Sequence, residues 1–372
     1  MKKTLVALAI AAVAASASAT TVYNQDGTKV ELGGRVDVML GKFGDNQRTD
    51  LRNNESRVEV KVEHEIQNGL KALGFYRLRF DAAQNGDRWD STNTFANPTT
   101  NKLWLGLEHA DVGRVTFGKQ DTTGDAVQLN DHAYIFGGNN NLFDGSDKVA
   151  SFRSADFKLA EGQTLGFGLD YVFGQSNKKD ITVDGLKNGY GVSLFYAGSF
   201  GDFSANVNAG YTVKNNDLGG NNHPASTNKQ EKAWRVATQF GFGPASLGVE
   251  YGQTKFNNKD KPEGTARFIE VGAKYDVLPE VSSVYAQWQR NSFKGDVAGF
   301  DADYKLSKVA LSSFNTGLGY NEKATQNVYI LGADYAFNKN VVAYAEYANS
   351  RVKTKEDKVK ESFYGAGLRV YF

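Results

Sequence analysis

The sequence predicts an all-β chain, a 16-stranded antiparallel transmembrane β-barrel with long extracellular loops and short periplasmic turns. Three observations carry this. Charged and apolar side chains alternate along sixteen segments, and the connections between those segments alternate between tight turns and long polar stretches. After residue 19 nothing approaches the roughly 18 consecutive apolar residues of a helical span.

The first element is a leader. Met1-Lys2-Lys3 is a basic start, Thr4 to Ala15 is apolar, and Ala17-Ser18-Ala19 supplies small residues for a signal peptidase. The apolar run is too short for a spanning helix, which needs ~20 residues. Residues 1–19 therefore read as a cleaved signal peptide and 20–372 as one barrel domain.

The strands follow at 28–42, 55–67, 70–82, 101–110, 113–121, 148–158, 164–174, 188–200, 203–214, 231–242, 245–256, 265–276, 281–291, 326–337, 341–351 and 361–372. A strand turns successive side chains to opposite faces, so Arg57, Glu59, Lys61, Glu63 and Glu65 share one face and Val58, Val60, Val62 and Ile66 the other. The same split sets Arg35, Asp37 and Met39 against Val36, Val38 and Leu40, and Arg77, Arg79 and Asp81 against Tyr76, Leu78 and Phe80. It recurs in Arg235 and Gln239 against Val236 and Phe240, and in Arg369 and Tyr371 against Leu368, Val370 and Phe372. Seven connections are tight and rich in turn formers, among them Asn68-Gly69, Glu161-Gly162, Gly201-Asp202 and Gly243-Pro244. Eight are longer and polar: 43–54, 83–100, 122–147, 175–187, 215–230, 257–264, 292–325 and 352–360. Of these, 292–325 has room for a further hairpin.

The charged face decides the architecture. It carries too many Arg, Lys, Glu and Asp to bury in a soluble core, whereas sixteen strands close around a lumen wide enough for water. Closure also satisfies the edges, so the last strand is expected to pair with the first. Tyr23, Phe117, Phe173, Phe200, Phe242, Tyr251, Tyr275, Phe337 and Tyr347 stand near strand ends, as interfacial girdles require.

Composition removes other classes. With 43 Lys+Arg, 42 Asp+Glu and no Cys, the chain offers no disulfide scaffold, no thiol nucleophile and no electrostatic reason for a nucleic-acid partner. The four His sit at no metal-binding spacing, and neither a Ser/His/acid arrangement nor a phosphate-cradling Gly loop is present. No catalytic residue, metal or cofactor is therefore expected.

Three stretches carry a resemblance: Thr21 to Leu32 (TVYNQDGTKVEL), Leu103 to Gly113 (LWLGLEHADVG) and Gly365 to Phe372 (GAGLRVYF). They resemble the general diffusion porins of Gram-negative bacteria, most of all the major outer-membrane porins of the Haemophilus and Pasteurella group. The resemblance implies an outer-membrane homotrimer passing ions and small hydrophilic solutes, with its third long loop folded into the lumen. It also makes Phe372, closing an alternating strand, similar to the signal read by the barrel-assembly machinery.

That loop is 122–147, whose 26 residues are long for a hairpin connection. Its Phe136-Gly137-Gly138 resembles the family's tip motif, in which paired Gly permit a tight bend. On the wall the family pattern is a ladder of basic residues, and Arg35 and Arg57 fall where two of these belong. Asn101 takes the place of the next, leaving Arg79, Lys148 or Arg153 to compensate. The loop side offers Asp121, Asp125 and Asp131, while Ile135 replaces a glutamate often found before Phe-Gly-Gly. The resulting expectation is a passive channel with a charged constriction. An outer-membrane barrel enzyme of lipase or protease type, or a ligand-binding or adhesin barrel, is the alternative.

Overall fold

The computed structural model describes residues 19–45, 47–80, 95, 97–174, 185–217, 229–258, 261–295, 323–355 and 358–372. The leader residues 1–18, Asp81, His223 and 296–322, where a further hairpin would fall, lie outside the described residues.

Among the described residues nineteen strands form one sheet. In chain order they are β1 (Thr20–Gln25), β2 (Thr28–Lys42), β3 (Asp50–Asn53), β4 (Arg57–Gln67), β5 (Leu70–Arg79), β6 (Thr99–His109) and β7 (Gly113–Asp121). There follow β8 (Gly145–Ser154), β9 (Phe157–Ala160), β10 (Gln163–Phe173), β11 (Gly185–Phe200), β12 (Phe203–Asp217) and β13 (Lys229–Phe242). The last are β14 (Ala245–Asn258), β15 (Lys261–Leu278), β16 (Ser282–Lys294), β17 (Lys323–Asn338), β18 (Val341–Lys353) and β19 (Lys358–Tyr371).

Every pairing is antiparallel, and the sheet closes through β19 on β2, from Tyr364 opposite Lys42 to Tyr371 opposite Arg35. Three strands are fragments sharing an edge with a longer one. β1 pairs with β2 just beyond the end of β19, β3 and β4 both flank β2, and β8 and β9 both flank β10. Merging each fragment with its collinear neighbour leaves the closed circuit of 16 positions that the alternation predicts.

The differences from the sequence reading are local. β1 and β3 were not among the expected strands, β3 lying in the connection expected at 43–54. Asp26-Gly27, after β1, has φ of 51° and 72° and is a hairpin turn that only such residues make cheaply. The expected strand 148–158 is also interrupted, between Ser154 and Phe157.

The phase is that of a barrel in lipid. On β2, Asp37 and Met39 are 0% and 1% exposed while Val36 and Leu40 are 53% and 54% exposed, so the apolar residues face outward and the carboxylate inward. All nine girdle aromatics are exposed on that outer surface. The lumen is packed with polar side chains, including Asp37, Asp170, Arg235, Glu250 and Glu346. Such groups are buried at tolerable cost only when paired. Asp37 is paired with Arg369 and Tyr344 on the wall, whereas Asp170, Glu250 and Glu346 take backbone N–H groups of the loop between β7 and β8.

Candidate functional site

The basic wall is built by register. Arg35 stands opposite Arg57 and Arg57 opposite Arg79, so β2, β4 and β5 carry three guanidinium groups in one row. Like charges in that arrangement repel, and two wall carboxylates separate them. Glu55 accepts from Arg35 and from Arg79, each at 3.1 Å. Glu59 lies 2.6 Å from Arg57 and 2.7 Å from Arg77. Glu55 reaches its place through a β-bulge: Asn54, Glu55 and Ser56 face only Val36 and Asp37, and Glu55 takes a left-handed φ of 64°.

A second bulge completes the wall. Arg77 pairs with Lys102 but Leu78 pairs with Thr100, so Asn101 is the extra residue and Lys102 holds the inward position. Lys102 is ion-paired with Asp121 at the end of β7.

The loop crosses the lumen against the opposite strands, and wall carboxylates capture its N–H groups. Thr122 N donates to Asp144 O (2.8 Å), closing the loop at its root. Asp170 of β10 accepts from Thr123 N at 2.9 Å. Glu250 of β14 accepts from Leu129 N and Asn130 N at 2.8 and 2.7 Å, and is itself held by Arg235 of β13. Glu346 of β18 accepts from Tyr134 N, from Ile135 N and Phe136 N at 3.0 Å each, and from the Tyr285 hydroxyl at 2.7 Å. Phe136 and Ile135 then seat among Met39, Phe43, Val328, Ile330, Tyr344, Ala348 and Phe363. Asn54, in the first bulge, donates to Tyr134 O at 3.0 Å and so ties the loop to the basic wall.

Close approach explains two glycines of the loop tip. Gly138 has a φ of 87°, and a side chain at Gly137 would overlap the Asp131 carboxylate, which folds back against it. His132, packed beside Gly272 of β15, has its pKa lowered to about 4, chiefly by burial and further by Lys274, so its ring is neutral at pH 7.

The chain matches a Gram-negative porin family over residues 4–355. The chain belongs to the Gram-negative porin family. It is 35% identical over 392 residues to a major outer membrane protein of Pasteurella multocida, covering 100% of both chains. Among solved structures, the porin fold is shared with a loop-deletion mutant of OmpT, an outer membrane protein of Vibrio cholerae (TM-score 0.67, 19% identity, 93% of this chain and 100% of that one). It is shared also with an anion-selective porin from Comamonas acidovorans (TM-score 0.62, 17% identity, 93% and 100%). The protein is thus an outer-membrane β-barrel of the channel-forming class.

Within this porin the candidate site residues divide. Arg35, Arg57 and Arg79 come together on one wall, and Asp121 and Asp125 stand at the loop root beside Lys102. Asp131 is exposed further along the loop, and Phe136 is buried in the wall rather than projecting into the lumen. Arg153 keeps the inward phase but lies opposite Arg114, near the periplasmic turns, and pairs with Asp156 at 2.7 Å. Lys148 departs from expectation: its neighbour Val149 is the inward, buried residue, and the exposed Lys148 donates to Gly174 O at the rim. One residue of phase separates it from the lumen. Phe372 extends the closing pair, exchanging bonds of 3.0 and 3.2 Å with the backbone of Gly34.

Sequence reasoning missed Lys102 and the carboxylates Glu55, Asp170, Glu250 and Glu346. Lys102 was within reach, because Leu103, Leu105 and Leu107 set an outward phase that leaves Lys102 inward. The three loop-binding carboxylates, Asp170, Glu250 and Glu346, had no such signal, being three acids among many on the inward face.

Proposed function

We propose that this porin sorts solutes by charge where the loop 122–147 meets the basic wall. Ions and small hydrophilic molecules cross between Arg35, Arg57 and Arg79 on the wall and Asp125 on the loop, beside the Lys102–Asp121 ion pair. What supports this is the row of three guanidinium groups on the wall, with Asp121 and Asp125 at the loop root beside Lys102. Opposed charges across a narrow passage make a transverse field that orients polar solutes and disfavours apolar ones. The working unit is a homotrimer in outer-membrane lipid, inserted by the barrel-assembly machinery through the strand ending in Phe372. Its activity is passive diffusion and not catalysis.

Reversal potentials in planar bilayers under a salt gradient test the reading. Arg57→Ser or Lys102→Gln shifts preference toward cations and Asp125→Asn toward anions, each by less at high salt. Potentials identical to wild type in all three variants would place selectivity elsewhere. Hydrolysis of lipid or peptide without any ohmic current would replace the channel by an enzyme.

A further inference from the structure

The lumen wall forms a recess of about 370 Å³ that shares Lys102, Asp121 and Asp125 with the charge-sorting site and extends from them toward the periplasmic turns to Arg114 and Arg153, which that role does not use. Its lining combines cations with flat rings. Phe75 and Trp104 stack at 5.4 Å with their planes 22° apart. Arg77 lies over Phe75 at 5.3 Å, Arg114 over Trp104 at 5.7 Å, and Arg153 over Phe195 at 4.4 Å. Arg153 reaches Phe195 across β10 because Gly166, which stands opposite Phe195, leaves the space its guanidinium fills.

The charges in the recess are unevenly answered. Arg77 is bridged to Glu59 and Arg153 to Asp156. Arg114 stands directly opposite Arg153, and among the described residues no carboxylate forms an ion pair with it, although Glu108 lies across from it on β6. With Asp121 committed to Lys102 and Asp156 to Arg153, the end of the recess at Arg114 and Arg153 keeps an excess of positive charge, which attracts an anion. Guanidinium groups held over aromatic rings make a cationic and aromatic lining on which a flat anionic ring can stack. The volume lies at the small end of ligand pockets, roughly 300–1,000 Å³, so it suits one or two rings.

We infer that this recess is a binding subsite for small aromatic anions, carboxylates or sulfonates, which it retains transiently as they leave the constriction. The anionic group sits between Arg114 and Arg153, and the ring stacks along Trp104 and Phe75. The inference rests on the channel reading for its physiological meaning, but binding can be measured without current.

Equilibrium dialysis of the detergent-solubilised full-length protein against benzoate, and separately against cyclohexanecarboxylate, removes the ring's π-face while keeping charge and approximate size. Benzoate should bind about fivefold more tightly, the scale of one aromatic contact. Trp104→Leu should abolish that ratio while leaving cyclohexanecarboxylate unchanged, and Arg114→Gln should weaken both ligands by about tenfold. Heat-modifiable migration confirms that each variant is folded, and Phe75→Leu is the second variant if one is not. Equal binding of the two acids, or a benzoate preference that survives Trp104→Leu, overturns the subsite. Bilayer recordings of the same preparations separate the two readings: absence of current refutes the channel, whereas current without benzoate preference refutes only the subsite.

Discussion

Replacing Glu346 by Gln removes the anchor of the loop tip while preserving its shape. The carboxylate takes four donors, two on each oxygen: Tyr134 N and the Tyr285 hydroxyl on one, Ile135 N and Phe136 N on the other. An amide keeps one oxygen and turns an NH₂ toward the second pair, so two charge-assisted bonds are lost. At about 1.5–3 kcal/mol each, the loss approaches 3–6 kcal/mol, less whatever lumen water returns to the freed amides. Against it stands the apolar seat of Phe136 and Ile135, worth about 1.5–3 kcal/mol per side chain. The terms are of similar size, so the tip of Glu346→Gln samples an undocked state that is negligible in wild type. Single-channel recordings should show added current noise and a higher mean conductance, and Glu346→Gln with Phe136→Ala should be fully open. Chymotrypsin supplies an independent readout, since an undocked tip exposes Phe136 and Tyr134. The strand ladder is untouched, so the heat-modification midpoint should not move. Unchanged noise, conductance and protease resistance in the double variant would mean that the loop is held by something other than this carboxylate and its apolar seat.

Other consequences follow from the same geometry. Leu105 is 65% exposed on the lipid side of β6, and Leu105→Arg should cost about 2–4 kcal/mol if it lies near the bilayer midplane, whereas the lumen change Lys61→Gln should leave urea-unfolding midpoints unaltered; the reverse result would invert the assigned phase. His132 is neutral when docked, with a pKa near 4 against 6.5 for the free ring, so docking is unpenalised above pH 6.5 and weakens as pH falls toward 4. Conductance noise should therefore rise over that window in wild type and less so in His132→Asn, with Lys274, Asp131 and Asp276 as the neighbouring charges; equal pH profiles would remove His132 from the account. Deleting Phe372 removes the residue that bonds Gly34 at the closure and should lower the yield of heat-modifiable protein in the outer membrane, and undiminished yield would count against its role in assembly.

What the sequence determined by itself is whatever depends on a period of two. Alternation assigned the lipid and lumen faces of β2, β4, β5, β13 and β19, turn formers located the hairpins, and the number of segments set the size of the barrel. Arg35, Arg57 and Arg79 were legible for the same reason, since strand phase alone turns them inward. Tertiary structure decided whatever breaks or exceeds that period. The bulge at Asn101 sets Lys102 opposite Arg77 while Leu78 meets Thr100; the bulge at Asn54 to Ser56 brings Glu55 between two arginines; and a one-residue difference puts Lys148 outside the lumen. The loop's course was decided furthest from the sequence. It depends on acids from β10, β14 and β18 meeting backbone N–H groups more than 40 residues away along the chain, and only closure of the barrel brings those strands opposite the loop.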